Sequence, residues 1–374
     1  MTSARHVCAI ILGDVRYDSR CTKILTSLRD RGFRTSVVTA VDGDTYDSSP
    51  GCTQIPVMFP RTVSTKRKFA SFYRRAFREV LKLHPDAVLA ADLYSLPPAW
   101  AVSVMLRIPV IYDSRELYRS IAALHKRRLM QAFWSFVERI LIRRVTLILT
   151  VNESLAGFLR SFYPDRNIGI LRNIPRKKNV TRTDRIRSLL GLPMGKKIIL
   201  YQGGLQAGRG ISLLLSAAEK IDGAEFVFMG NGPLEHVINE RARSLPHVHH
   251  MNSVRADDIL DYTASADIGT VLIENLGTSY YHSLPNKLFE YIHAGIPVIG
   301  SDFPEISAII NGYGVGCIAN PENTADVVEA LKKLISDDTG YRSFRAACIK
   351  ASVILSWEEE FEKCYPALQP ILEK

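Results

Sequence analysis

Short apolar runs alternate along this chain with longer stretches in which apolar residues recur every three or four positions. Val7–Leu12 is the first such run, followed by GDVRYDSR and an amphipathic pattern from Cys21 to Leu28 that Gly32 stops. Thr35–Thr39 supplies the next strand, and a strand, helix, strand opening predicts a parallel sheet. Asp86–Ala90, Pro109–Asp113, Leu147–Val151, Ile198–Gln202, Glu225–Gly230 and Ile268–Ile273 continue the strand series. Arg61–Lys82, Lys126–Arg144, Asn323–Ile335 and Trp357–Tyr365 have helical periodicity. The alternation breaks once, at the charged stretch RKKNVTRTDR. The expected architecture is therefore α/β, with two doubly wound Rossmann-like domains facing a cleft. Residues 1–174 form the first domain, 175–195 a linker and 196–352 the second domain, while 353–374 end in a helix.

The stretch with the most chemistry is Tyr280–Glu305, YYHSLPNKLFEYIHAGIPVIGSDFPE. It reads as loop, helix, turn, strand and loop. Ser283 is the expected N-cap and Pro285 falls in the first turn. Gly295 ends the helix, and Val298–Gly300 is a buried parallel strand. Asn286, Lys287 and Glu290 share one face in the first turns, where free N–H groups and the macrodipole attract phosphate. A lysine there adds positive charge for a diphosphate, and the two oxygens of Glu290 suit the vicinal hydroxyls of a ribose. An ordinary capped surface helix would share this spacing. Upstream, Gly203–Gly210 is a glycine-rich loop between a strand and a helix starting at Ile211, with Arg209 to supply charge. It is not GxxxxGK[ST], and Gly13–Arg20 is not GxGxxG, so neither a P-loop nor a dinucleotide fingerprint is present.

Composition narrows the setting. The chain has 374 residues and a formal net charge of +10, which suggests anionic partners: nucleotide sugars, phospholipid surfaces or nucleic acid. No RNP, KH or zinc signature accompanies the charge, so nucleic acid is not expected. The six cysteines are scattered without a CxxC pair, which argues for reduced thiols in a cytosol and against structural zinc. His247, His249 and His250 lack the spacing of a metal site. No apolar run is long enough to span a bilayer. Arg61–Lys82 carries about eight basic residues against Glu79, with Phe69, Phe72, Tyr73 and Phe77 interleaved. That pattern fits either an amphipathic helix on an anionic membrane or a domain helix whose aromatics are core. The aromatic face of Lys126–Arg144 is expected to be core. In the first domain Asp18 and Arg20 form a local ion pair or touch substrate. Arg115 pairs with Glu116 or binds a phosphate through both guanidinium donors.

LPNKLFEYIHAGIPVIGSDFPEI resembles the donor-site signature of retaining, family-4-type glycosyltransferases (glycosyl transferases group 1) of the GT-B fold. GDVRYDSR, YDSRELY, RNIP, the Gly203–Gly210 loop and Gly230-Asn-Gly232 are similar to further motifs of that family. The resemblance covers nearly the whole chain. It implies donor binding by Gly203, Gly204, Arg209, Gly230, Gly232, Asn286, Lys287, Leu288 and Glu290. Gly230 and Gly232 would let a nucleobase or ribose pass close to the backbone. It places the acceptor near Gly13, Asp14, Asp113, Arg115 and Glu116, and catalysis on Arg209, Lys287, His282 and Arg115. Two departures stand out: Gly204 replaces the family's first arginine, and His282 stands where a second glutamate is common. The family's last helix crosses back onto the first domain.

The expected reaction is transfer of a sugar, with retention, from a UDP- or GDP-linked donor to a lipid-linked or saccharide acceptor, in cell-surface polysaccharide or glycolipid assembly. No cofactor and no metal are expected. The expected location is cytoplasmic, with peripheral contact to the inner face of the membrane. A sugar-nucleotide epimerase, a phosphorylase or an inactive binding subunit are the alternatives on the same fold.

Overall fold

The computed structural model describes residues 4–43, 45–47, 52–60, 62, 64–117 and 128–373. Arg61, Val63, Lys126 and Arg127 of the expected basic helices, and residues 118–120 of SRELYRS, lie outside them. The chain divides into two units, Met1–Asn173 with Glu360–Lys374, and Ile174–Glu359.

In the first unit the order is β1 (His6–Ile11), α1 (Ser19–Asp30), β2 (Arg34–Asp42), β3 (Thr53–Phe59), α2 (Thr65–Leu83) and β4 (Ala87–Ala90). Then come α3 (Leu96–Leu106), β5 (Val110–Asp113), α4 (Arg128–Leu141), β6 (Val145–Thr150), α5 (Glu153–Phe162) and β7 (Ile168–Ile170). The strands form one parallel sheet in the order β3-β2-β1-β4-β5-β6-β7. β1, β4 and β5 are buried along their full length, as central strands covered on both faces must be. β3 was not apparent from periodicity. It is an edge strand with Pro56 paired opposite Thr39, a place where a missing N–H costs no ladder bond.

The apolar face of α2 points inward. Phe72, Ala76 and Val80 are fully buried, and Phe69, Tyr73 and Phe77 pack on the same core. The aromatics of this helix therefore cannot insert into a bilayer. Arg67, Arg74, Arg75 and Arg78 remain on its exposed side. α4 contacts that core through Trp134, whose ring meets Phe69 at 6.0 Å and Tyr94 at 4.9 Å. Its other aromatics, Phe133 and Phe136, are exposed, contrary to the core role expected of them. The chain's last residues join this unit: Arg31 stacks on Phe361 and Tyr365, and Arg172 forks onto Glu360.

The second unit runs α6 (Arg185–Leu190), β8 (Lys197–Gln202), α7 (Ile211–Ala218), β9 (Ala224–Met229), α8 (Glu235–Ser244), β10 (Val248–Met251) and α9 (Ile259–Thr263). It continues with β11 (Ile268–Val271), α10 (Thr278–Tyr281), α11 (Asn286–His293), β12 (Val298–Ser301), α12 (Pro304–Tyr313) and β13 (Gly316–Ala319). α13 (Thr324–Ser336), α14 (Asp338–Ile354) and α15 (Trp357–Leu372) close the chain. Its parallel sheet has the order β10-β9-β8-β11-β12-β13. Ile174, Ile186 and Leu192 are buried in this unit's core. The strand order reverses between β8 and β11, and open α/β sheets bind ligands beyond the carboxyl ends of strands at such a switch. In the first unit the reversal lies between β1 and β4.

Phe72→Ala is expected to cost about 3–5 kcal/mol of stability. Arg74→Glu, on the exposed side of the same helix, should stay within about 0.5 kcal/mol. Thermal unfolding of the two variants checks this; equal midpoints would return the aromatic face to the surface.

Candidate functional site

The loops after β8 and β11 and the start of α11 build one constellation in the second unit. Tyr201 lies one residue before the end of β8, with its ring buried and its hydroxyl donating to the Gly204 carbonyl at 2.7 Å. Above that ring, 3.6 Å from its centroid, lies the Lys287 ammonium. Lys287 is only 8% exposed and its Nζ has no hydrogen-bond partner among the described residues. Burial pushes its pKa well below the ordinary lysine value, the nearby Arg209 charge lowers it further, and Glu290 opposes both. Arg209 is itself stacked on Tyr280, 5.3 Å from the ring centroid. Both cations are thus positioned by aromatic faces, which attract a cation without neutralising it.

Glu290, one turn along α11, accepts from the Gln202 side-chain amide at 2.5 Å. The other end of that amide accepts from the Thr263 hydroxyl at 2.8 Å. The Gln202 backbone N–H donates to the Tyr291 hydroxyl at 3.1 Å, which donates on to Leu200. Glu290 is therefore fixed by a chain of bonds anchored in β8. Glu274, just past β11, takes the Gly210 N–H on its carboxylate at 3.1 Å while its own N–H donates to Gly208. That clasp holds the glycine-rich loop on either side of Arg209. α11 begins at Asn286 with Pro285 as N-cap and no side chain closing its first turn. Ser283 is not the cap; its hydroxyl donates to the Tyr280 carbonyl at 2.8 Å.

In the first unit the candidates fall into a charge network. Asp113, fully buried at the end of β5, accepts from Arg20 (Nε at 2.9–3.0 Å, Nη2 at 2.7 Å) and from Arg115 Nε at 2.8 Å. Arg115 also bonds Asp18 at 2.5 Å, and Asp18 caps α1 through the Cys21 N–H. So Arg20 and Asp18 do not pair with each other, and Arg115 does not use Glu116 as its ion-pair partner. Burial pushes the Asp113 carboxyl up, but the two guanidinium groups outweigh it and hold the pKa below the usual range. Asp14 is occupied too, forked by Arg16 and capping the short turn at Val15–Tyr17. Gly13 accepts from the Thr39 hydroxyl at 2.6 Å. Glu116 is exposed.

Residues 196–337 match the family described as glycosyl transferases group 1, and residues 18–173 match the glycosyl transferase 4-like domain. The chain belongs to the group 1, family-4-type glycosyltransferases. A Bacillus subtilis (strain 168) glycosyltransferase assigned to teichuronic acid biosynthesis is 26% identical over 293 residues, 75% of this chain and 71% of that protein. Sucrose-phosphate synthase from Thermosynechococcus elongatus has a TM-score of 0.82 at 15% identity, covering 99% of both chains. Anabaena Alr3699/HepE, solved with UDP-glucose, has a TM-score of 0.72 at 13% identity, covering 98% of this chain and 99% of that one. These neighbours show the GT-B fold.

Within this glycosyltransferase several assignments change. Leu288 is buried in the core, so its side chain cannot touch a donor. A Cβ at Gly230 would fall 1.9 Å from the Gly203 carbonyl oxygen, and one at Gly232 2.5 Å from that of Leu205. Those two glycines let the β9 turn press against the β8 loop, a requirement of the fold that does not depend on a passing nucleobase. Gly204 is exposed, and Asn286 is exposed at the start of α11. His282 ends α10 with its ring edge-on to Tyr281 at 5.0 Å. Tyr201, Tyr280, Gln202, Thr263 and Glu274 were missed; aromatic and amide side chains beside a glycine loop carry no spacing signature.

Asp113→Asn should cost about 3–5 kcal/mol, because two arginines then lose their buried carboxylate. The lowered pKa adds a sign: the stabilisation is present above the ordinary carboxylate value and is lost as pH falls through the folded value. Chemical denaturation at neutral and acid pH should show the difference between variant and parent shrinking in acid.

For Lys287 the slope has the same sign at higher pH. Its folded pKa is depressed, so between that value and the ordinary one the unfolded chain holds a proton that the folded chain lacks. Stability should rise with pH across that window in the parent and not in Lys287→Met. A bound diphosphate restores the proton. Calorimetry of UDP in buffers of different ionisation enthalpy should therefore show proton uptake at alkaline pH, absent in Lys287→Met.

Proposed function

We propose that this glycosyltransferase moves a sugar from a nucleoside diphosphate to a saccharide or lipid-linked acceptor, in assembly of a surface polysaccharide or glycolipid. The observation that carries the donor class is the buried Lys287 side chain, whose Nζ has no hydrogen-bond partner among the described residues, beside Arg209 and the first turn of α11. A dianionic group is the ligand that turns this costly arrangement into a favourable one. Glu290, held by Gln202 across the same loop, is the partner for two ribose hydroxyls. The Anabaena neighbour solved with UDP-glucose and the B. subtilis relative assigned to teichuronic acid biosynthesis support the donor and the process.

In the proposed reaction the bond between the anomeric carbon and the diphosphate oxygen breaks, and the leaving group keeps the electron pair. The acceptor oxygen bonds the same carbon and its proton passes to the departing phosphate. Arg209 and Lys287 stabilise the charge that develops on that phosphate, the role a divalent cation fills elsewhere. In this reading Glu290 is committed to the ribose, and Glu274 holds the Gly210 N–H. With His282 in the place of a further glutamate, attack from the leaving-group face, with retention, is the favoured route.

Titration with UDP-, GDP- and ADP-sugars, followed by nucleotide release with and without acceptor, tests the reading. One donor class should bind and turn over. Arg209→Ala should lower kcat more than it raises KM, by roughly ten- to a hundredfold, because the charge it meets grows toward the transition state. Failure of all three nucleotide classes to bind would overturn the proposal.

A further inference from the structure

The apolar face of α4 is wider than its contact with the core. Trp134, Val137 and Leu141 face the core of the first unit. On the adjoining side of the helix Leu129, Phe133, Phe136 and Ile140 stand 89%, 54%, 63% and 42% exposed. Their spacing of four, three and four residues puts all four side chains on one stripe. Scattered exposed apolar residues are ordinary; a contiguous aromatic stripe marks an interaction surface.

Charge decides what covers it. Phe69 of α2 meets the Trp134 ring of α4, and α3 packs against both helices, so the three share one layer. The outer side of α2 exposes Arg67, Arg74 and Arg78 at spacings of seven and four, again one stripe. Arg139 and Arg143 are exposed beside the apolar stripe. None of these five arginines has an ion pair among the described residues. A second copy of this chain would bring the same arginines to the same place and be repelled. An anionic lipid surface supplies both missing complements, headgroup phosphates for the arginines and acyl chains for the stripe.

We propose that the outer face of α2 and α4 docks the first unit on an anionic lipid bilayer, with the stripe of Leu129, Phe133, Phe136 and Ile140 as the part that inserts. This goes beyond the donor chemistry and does not depend on it. The basic helix Arg61–Lys82 contributes charge only, since its aromatics are core.

The test is co-sedimentation of the full chain with vesicles of phosphatidylcholine alone, or equimolar with phosphatidylglycerol, at low and high salt. The parent should bind the anionic vesicles, not the neutral ones, and a fraction should persist at high salt. Phe133→Ser with Phe136→Ser should lower partitioning roughly tenfold or more and remove the salt-resistant fraction. Arg67→Glu, Arg74→Glu and Arg78→Glu together should lower low-salt binding by roughly a hundredfold. UDP affinity and circular dichroism confirm that the variants are folded. Should the serine pair fail to fold, Phe136→Trp gives a direct reading, because brominated acyl chains should quench the added fluorescence. No sedimentation of the parent, binding indifferent to both phenylalanines, or a solution dimer abolished by Phe136→Ser would each overturn the proposal.

Discussion

A lysine amino group held out of water, with no hydrogen-bond partner among the described residues, is the constraint around which the donor side of the second unit is arranged. Burying an ammonium costs several kcal/mol even after relaxation, while a cation over an aromatic face regains about 2 kcal/mol when desolvated. The Tyr201 ring therefore offsets only part of the cost of placing Lys287 above it. The remainder is a standing demand for an anion. Around that demand the neighbours are tied to backbone groups: Tyr201 to the Gly204 carbonyl, Tyr291 to the Gln202 N–H, Glu274 to the Gly210 N–H of the glycine-rich loop. The Gly230 and Gly232 turn presses on that loop from the other side, at distances that admit no Cβ. A site preorganised in this way needs little rearrangement when charge develops in it.

The first unit solves the opposite problem. Arg20, Arg115, Asp113 and Asp18 bring two positive and two negative charges together, so the network balances itself. Asp113 is surrounded so completely that it has nothing to offer a substrate. Its role is to tie the end of β5 to the start of α1. Only the Arg115 Nη2 group remains without a hydrogen-bond partner among the described residues. An acceptor oxygen in this cluster would find that donor unspent, whereas Nε and Nη1 of the same guanidinium already hold Asp113 and Asp18.

How much of this was readable beforehand depends on what a one-dimensional pattern can carry. Strands such as β1, β8 and β12 are short apolar runs between turn residues, and their burial on both faces follows from parallel pairing. The end of α11 at Gly295 was legible for the same local reason. β3 was hidden, because Pro56 argues against a strand except at an edge, and edge position is a property of the whole sheet. The pairing of Arg20 with Asp113 joins residues 93 apart in sequence, and no local spacing announces it. Pro285 displaced Ser283 as the cap because Ser283 closes the preceding α10 turn, a choice between two local solutions that sequence leaves equal.

The two basic amphipathic helices show the limit most clearly. Periodicity says that a helix has an apolar face; it does not say what will cover it. In α2 the apolar side is one face wide, and the sheet consumes it entirely. In α4 the apolar arc is wider than the core beneath it can cover, and part of it stays outside. The leftover stripe was therefore implied by the composition of α4 once its inner face was known, yet it was assigned to the core because apolar residues usually go there. Lys287 is the mirror case, a charged residue in a buried position where the usual rule places an apolar one. Natural chains break local rules of this kind where function requires it. In this protein there are two such breaches: a buried lysine beside Arg209, and an exposed apolar stripe alongside Arg139 and Arg143.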